Sequence, residues 1–248
     1  MIKISNETFT VKSSLRDSFY FISEGSYGGD QTWYAKIYPK GKKGEIQNRY
    51  GCGPASASNI TAFYAKYYPS LSNLYSESSW DILNYTMHMN KLFSYSHERP
   101  IILPDYTKMM KSYAKDRGIG LYTHSASSYG FYFNSCFLNL CNNIKNGIAH
   151  NAPVALLIGP VIWKGRRIFD SYSPSDILSE GNLEDINNFR THWVTITEYD
   201  FENEDYAKVT VSSWGSRYVL NLSALMDQRL FLDTVWFTGS SYSDTDPI

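Results

Sequence analysis

Long apolar runs are missing from this sequence. No segment approaches the roughly 18 consecutive apolar residues that a membrane-spanning helix requires. The first residues, MIKISNETFTVKSS, also lack the apolar centre of a secretory signal. These absences predict a protein that has no membrane partner and resides in the cytoplasm, with secretion through a signal outside the given sequence left open.

An excess of charge of one sign is missing as well. The chain has 23 Lys and Arg against 24 Asp and Glu, which gives a formal net charge of −1. Proteins that bind nucleic acids usually carry a basic surplus that neutralises phosphates. We therefore expect no nucleic-acid partner, and the sequence gives no indication of the oligomeric state.

Cysteine is scarce, with only Cys52, Cys136 and Cys141 in 248 residues. Such a small and odd number forms no disulfide framework, so reduced thiols are expected. Cys136 and Cys141 are five residues apart on a predicted helix, which places them about 140° apart around its axis. Because they cannot face one metal ion together, we expect no metal site, and nothing in the sequence indicates a cofactor.

Repeats, low-complexity segments and linkers rich in Pro, Gly or Ser are also missing. A chain of 248 residues without such boundaries is long enough for one large core. We therefore predict a single domain over residues 1–248, in which residues 1–45 form an irregular N-terminal extension.

Helical patterns come first along the chain. Apolar residues recur at i, i+3, i+7 and i+10 from Ala57 to Tyr67, and Pro69 ends this helix. Further helices are predicted over 79–92, 104–117 and 134–147. Strand-like segments follow, namely PVALLIG, RIFDSY, HWVTITEYD, AKVTVSSWG, SRYVLNL and TVWFTG. This order predicts an α+β fold in which the cysteine-bearing helix packs on a C-terminal antiparallel sheet.

Cys52 stands between two glycines, just before Pro54, in the segment YGCGPAS. Pro54 suits the first turn of a helix, so Cys52 would lie at the helix N-terminus, where unpaired N–H groups and the helix dipole lower a thiol pKa. Gly51 and Gly53 would let a substrate backbone approach and would permit unusual φ and ψ values. The alternative is a small buried hydrophobic residue beside a tight turn.

A thiol nucleophile needs a base and an oxyanion donor. His192 differs from the other four histidines because it opens a predicted strand, a rigid place to hold an imidazole at a thiol. A structural histidine at a strand end is the alternative. Gln47, five residues before Cys52, carries an amide that could donate to a developing oxyanion beside the Cys52 N–H.

These segments together resemble the papain-like cysteine peptidase superfamily, and most of all its bacterial C39-like peptidases. The resemblance runs through Q-x4-CGPAS, then HWVTI-x-E-Y-D, then V-x-V-S-S-W-G, in that order, over residues 47–222. The 140 residues between Cys52 and His192 fall within the roughly 130–150 of papain-like sequences. The resemblance implies a papain-like fold with Cys52 as nucleophile, His192 as general base and Gln47 as oxyanion donor.

The resemblance also assigns the turn after the histidine strand. Trp214 matches the tryptophan that shields the histidine from water in this family. We expect Trp214, Gly51 and Gly53 to lie at the substrate-binding site. The orienting Asn or Asp of the family should stand two residues before it, where this chain has Ser212. A serine hydroxyl can accept from an imidazole N–H and fix its tautomer, but it supplies no negative charge. Ser213 should point to the opposite face from Ser212.

The predicted activity is that of a cysteine peptidase or amide hydrolase working through an acyl-enzyme on a peptide or other acyl substrate. An acyltransferase on the same fold is one alternative. A papain-like binding module with impaired catalysis is another, and Ser212 is its main support. The tyrosine-rich segments YTHSASSYGFYF and RIFDSYSP are compatible with lining a groove and equally with a structural role.

Overall fold

A computed structural model of the chain describes residues 15, 19, 26–38, 42–96, 101–128, 133–159, 162–163, 166–167, 177–179, 192–203, 206–227 and 231–241. The helices among them are α1 (Tyr34–Ile37), α2 (Lys42–Tyr50), α3 (Cys52–Tyr67), α4 (Ile82–Phe93), α5 (Leu103–Lys115), α6 (Phe133–Ala149) and α7 (Leu222–Asp227), with 3₁₀ turns at Gln31–Trp33 and Pro69–Leu74. The strands are β1 (Ile119–Ser127), β2 (Val154–Gly159), β3 (Ile162–Trp163), β4 (Arg166–Arg167), β5 (Ile177–Ser179), β6 (His192–Asn203), β7 (Tyr206–Ser213), β8 (Ser216–Asn221) and β9 (Phe231–Ser241).

One antiparallel sheet carries most of the described strands. Its order is β1-β9-β2-β6-β7-β8-β5, and every neighbouring pair in it runs antiparallel. β3 and β4 pair separately. The mixed α+β architecture with an antiparallel sheet confirms the predicted fold class at that level.

Helix α3 is the centre of the molecule. Its residues 53–64 are all buried, so this helix is covered on every side, as expected for a helix inside a core. It packs against β6, where the Ser56 hydroxyl donates to the Val194 carbonyl at 3.1 Å and Asn59 Nδ2 donates to Thr195 Oγ1 at 3.2 Å. The first residue of α3 is thereby fixed against the first residues of β6.

The predicted helices agree with α3, α4, α5 and α6, and the predicted strands agree with β2, β6, β7, β8 and β9. The sequence analysis missed β1, which lies between α5 and α6, so the helices do not all precede the strands. Tyr67, predicted on the buried face of α3, is 42% exposed because it lies in the last turn of that helix. Of the predicted strand RIFDSY, only its first residue, Arg167, is among the described residues.

Of the stretch predicted as an irregular extension, 1–45, the structure describes residues 15, 19, 26–38 and 42–45. This part holds a 3₁₀ turn, α1 and the start of α2. Tyr27, Trp33 and Tyr34 are buried in the main hydrophobic core. The described part of the stretch is therefore partly helical and packed into the domain.

Candidate active site

Cys52 is the first residue of α3, with Gly51 as the N-cap. The position is the one predicted, because Pro54 sits in the first helical turn, where a backbone N–H has no helical partner. Burial raises the pKa of the Cys52 thiol, while the backbone N–H groups of Trp193, Gly53 and Cys52 itself act in the opposite direction. Burial is the larger effect, so the thiol is held in its neutral form.

His192 opens β6 and is 5% exposed. Its Nε2 lies 2.8 Å from Oγ of Ser213, a hydrogen bond in which either atom can be the donor. Burial lowers the pKa of His192 to about 3. The imidazole is therefore neutral at physiological pH, and the contact with Ser213 fixes its orientation.

Cys52 and His192 line the same cavity. Its volume is about 10 Å³, which is room for one water molecule. Trp193, the residue after His192, lines the cavity as well. The fold thus brings together the two residues that sequence analysis selected as nucleophile and base, in a small site where His192 is buried and Cys52 partly buried.

Ser213, rather than Ser212, is the serine that contacts His192. Thr195 pairs with Ser212 across β6 and β7, so Ser212 shares the sheet face of Thr195, whereas Ser213 shares the face of His192. The Ser212 hydroxyl donates to the Tyr27 carbonyl at 2.6 Å and accepts from Asn59 Nδ2 at 3.1 Å. These contacts do not support the orienting role expected for Ser212.

Trp214 lies over His192, with the ring centroids 4.2 Å apart and the planes 12° apart. It occupies the two-residue turn between β7 and β8, where Trp214 has a φ of 45° and Gly215 a φ of 68°. Positive φ at both positions is typical of the type I′ hairpin, which rarely takes a bulky residue at the first of them. This geometry agrees with the predicted shielding of the histidine by Trp214.

Gln47 lies away from the cavity. It is fully buried, and its Nε2 donates to Asn90 Oδ1 at 2.6 Å. Gln31, by contrast, lines the cavity with Cys52, and one of its amide N–H groups donates to the Asn48 carbonyl at 2.7 Å. A side-chain amide has a second N–H, so Gln31, unlike Gln47, lies where it could donate a hydrogen bond to a molecule in the cavity. Its distance of 21 residues before Cys52 gave no sequence signal.

Gly51 and Gly53 serve packing in this structure. Gly51 has an ordinary φ of −81°, and a Cβ there would lie 2.3 Å from the Gln47 carbonyl oxygen and 2.5 Å from the Tyr34 ring. A Cβ on Gly53 would lie 2.3 Å from Ile101 Cδ1. The expected unusual backbone conformation at Gly51 is therefore wrong, and both glycines make room for protein side chains.

Asn59, two turns after Cys52, ties the elements around the cavity together. Its Oδ1 accepts from the Gly29 N–H at 2.8 Å and from the Tyr85 hydroxyl at 2.7 Å. Its Nδ2 donates to Thr195 and Ser212. One buried amide, with both its oxygen and its nitrogen engaged, therefore connects α3 to α4, β6, β7 and the segment before α1.

Replacing Ser213 and Ser212 by alanine should have different effects. We expect Ser213→Ala to slow native-state alkylation of Cys52 about 10- to 100-fold, the size typical of removing the partner that orients a metal-binding histidine. Ser212→Ala should instead lower the free energy of unfolding by about 1–3 kcal/mol, because it leaves buried polar groups without a partner. Alkylation kinetics and urea unfolding of both variants measure this. Equal alkylation rates in the two variants would contradict the assignment of Ser213.

The other two cysteines lie on α6, as predicted, with Cys141 buried and Cys136 partly buried. Burial raises the pKa of Cys141 to about 12. Within the described residues, no three His, Cys, Asp or Glu side chains are grouped so that they could hold a metal ion. The described helices include none with the length and apolar content needed to cross a membrane.

Comparisons with protein-family models, with curated proteins and with solved structures gave no match for this chain. The functional interpretation of the site therefore rests on its own geometry and chemistry.

Proposed function

We propose that this chain is a papain-like cysteine hydrolase of the C39-like type, which cleaves amide or other acyl bonds. The observation that carries the proposal is the single cavity shared by Cys52 and His192. Cys52 lies at a helix start and His192 at a strand start, and Ser213 and Trp214 hold the imidazole. A nucleophile, a base and a group that orients the base are the three parts such chemistry needs.

The reaction would begin from a neutral pair. Burial keeps the Cys52 thiol protonated and the His192 imidazole unprotonated, so His192 takes the thiol proton as the sulfur attacks the substrate carbonyl. With Nε2–H directed to the Ser213 hydroxyl, Nδ1 carries the lone pair that accepts this proton. His192 then gives the proton to the leaving amine, and water attacks the resulting thioester to release the acid and restore the thiol.

The tetrahedral intermediate places a negative charge on the former carbonyl oxygen. The Cys52 N–H, at the open end of α3, and the second N–H of the Gln31 amide are the donors we assign to it. The positive end of the α3 dipole favours charge at the same place. Gln31 takes this role in place of Gln47, which is engaged with Asn90.

The space beside Cys52, about 10 Å³, holds a water molecule but not a peptide, although Cys52 itself is only partly buried. The small cavity and the raised thiol pKa favour the second candidate, a papain-like module that binds a partner without catalysis. The two candidates differ in whether Cys52 is chemically activated by His192 in the native protein.

Alkylation of Cys52 by iodoacetamide, followed site by site by mass spectrometry across pH, separates these candidates. For the hydrolase, we expect Cys52 to react in the native state far faster than the buried Cys141. We also expect His192→Ala to slow this reaction by roughly 10²- to 10⁴-fold, the contribution of a general base. Partly buried Cys136 is the internal control, because its rate should not change in the variant.

The hydrolase proposal fails if Cys52 reacts no faster than Cys141 without denaturant and if His192→Ala leaves the alkylation rate of Cys52 unchanged. The thiol is then not activated. The binding-module function then replaces the hydrolase.

A further inference from the structure

A groove lies along one edge of the molecule, between α5 and β1, apart from the Cys52 cavity. Thr107, Lys108 and Lys111 of α5 and Thr123 and Ser125 of β1 are among its lining residues, and we call it the α5–β1 groove. Its volume is about 570 Å³, within the roughly 300–1,000 Å³ of ligand-binding sites. It is therefore large enough to hold part of a second molecule.

β1 is the edge strand of the sheet. Over its nine residues it pairs with β9, and no other described strand lies against it. An edge strand offers a row of backbone N–H and C=O groups to an additional strand. β1 contains no Pro and no Lys that would block such pairing.

The groove is positively charged. Lys108 and Lys111 are exposed and stand three residues apart, so they lie on the same flank of α5 with about 4.5 Å of helix rise between them. The Thr123 hydroxyl oxygen is buried and has no hydrogen-bond partner among the described residues. Two cations, hydroxyl groups and a strand edge thus meet in one place.

We propose that the α5–β1 groove binds an acidic segment of a partner protein, which adds to β1 as an extended strand. Backbone hydrogen bonds to β1 supply affinity, and side chains of alternate residues reach the groove. Carboxylates two residues apart on such a strand are about 6.8 Å apart, a spacing that flexible lysines at 108 and 111 can meet. This inference does not depend on the chemistry at Cys52.

Charge selects this occupant over others. A nucleic acid would need more than the two lysines that line the groove. A second copy of the chain would present its own β1, IGLYTHSAS, which contains no acidic residue to meet Lys108 and Lys111. An acidic extended peptide satisfies both the strand edge and the two cations.

Fluorescence anisotropy with the full chain tests the proposal. The probe is a labelled peptide of alternating Glu and Val, and the comparison peptides replace Glu by Lys or replace alternate Val by Pro, which cannot pair. We expect binding of the acidic strand-forming peptide alone, with affinity at least tenfold above that of either comparison peptide. The double variant Lys108→Glu, Lys111→Glu should weaken binding at least tenfold, because it replaces attraction by repulsion.

Lys115→Glu is the matched control, since Lys115 is exposed on the same helix but outside the groove; its affinity should stay within twofold of the native chain. Hydrogen exchange should show that the β1 amides that point away from β9 become protected when the peptide is added. Equal loss in the Lys115 variant, or protection at another element, overturns the proposal. So does a free chain in which the β1 amides that point away from β9 are already protected, whether by another segment or by a second copy.

Discussion

Replacing Cys52 by serine should lower kcat/KM for an amide substrate by roughly 10⁴- to 10⁶-fold, the range expected when a hydrolase loses its nucleophile. His192→Ala should cost roughly 10²- to 10⁴-fold, because the thiol then attacks without a positioned base. Gln31→Ala should cost roughly 10²- to 10³-fold, as expected for one oxyanion donor. A screen of fluorogenic peptides and amides supplies the substrate, and steady-state kinetics of the three variants measure the order of the losses.

Two controls make this result specific. Cys136→Ser removes a thiol on α6, away from the cavity, and should leave kcat/KM unchanged. Gln47→Ala removes an amide that contacts Asn90 and does not line the cavity, so it should affect folding more than turnover. A Cys52→Ser variant that keeps more than a tenth of the native rate would refute the assignment of the nucleophile.

Acidification from pH 7 to pH 4 should lower the free energy of unfolding by several kcal/mol. Burial lowers the pKa of both His88 and His192 to about 3, whereas an unfolded histidine has a pKa near 6.5. Below pH 6.5 the unfolded chain therefore binds protons that the folded chain does not. The free energy of unfolding then falls by up to about 1.4 kcal/mol per pH unit for each histidine, from about pH 6.5 toward pH 3.

Asp233 acts in the opposite direction. Burial raises its pKa to about 6, against a partial lowering by its hydrogen bond to Ser127, while an unfolded aspartate has a pKa near 3.9. Between pH 6 and pH 4 the folded chain therefore binds a proton that the unfolded chain does not, which stabilises the fold as the pH falls. One carboxyl group offsets one histidine, so a net loss remains.

Urea unfolding at pH 7, 6, 5 and 4 measures this dependence. His88 is the histidine to change without touching the candidate site, because it is buried between the Thr61 and Tyr113 hydroxyls. His88→Asn should flatten the acid loss, and Asp233→Asn should steepen it. A free energy of unfolding that stays constant from pH 7 to pH 4 would contradict the neutral, buried state of both histidines.

Local patterns were enough to predict much of this fold. The helix that starts at Cys52 is predictable from the flanking glycines, from Pro54 and from the helical periodicity that follows. Strands β6 and β7 are predictable from two runs of strand-forming residues that a short connection separates. β1 was missed because IGLYTHSAS has few of the branched and aromatic residues that mark strands. α2 was missed because Gly44 and neighbouring lysines resemble a turn.

The site was only partly predictable, because the choice of two of its residues depends on how distant segments of the chain are arranged in the fold. Whether Ser212 or Ser213 faces His192 is decided by the register of β6 against β7, in which a shift of one residue exchanges the two faces. Whether Gln31 or Gln47 lines the cavity with Cys52 is decided by the path of the chain before α1, which the spacing of five residues between Gln47 and Cys52 does not reveal. The resemblance therefore selected two residues, Cys52 and His192, that the fold brings to one cavity, and two further residues, Gln47 and Ser212, that are engaged in other contacts.

Trp214 has a left-handed backbone conformation, which lowers the stability of the fold, while its ring covers the His192 imidazole. At a φ of 45°, glycine or asparagine has less backbone strain than tryptophan. Relief of such strain commonly raises the free energy of unfolding by about 1–3 kcal/mol. Yet neither residue carries a ring that can cover His192 at 4.2 Å. A search for stabilising substitutions would therefore select position 214 early and would uncover the imidazole in doing so. Tryptophan at this turn therefore gives up some stability of the backbone and covers the imidazole in return.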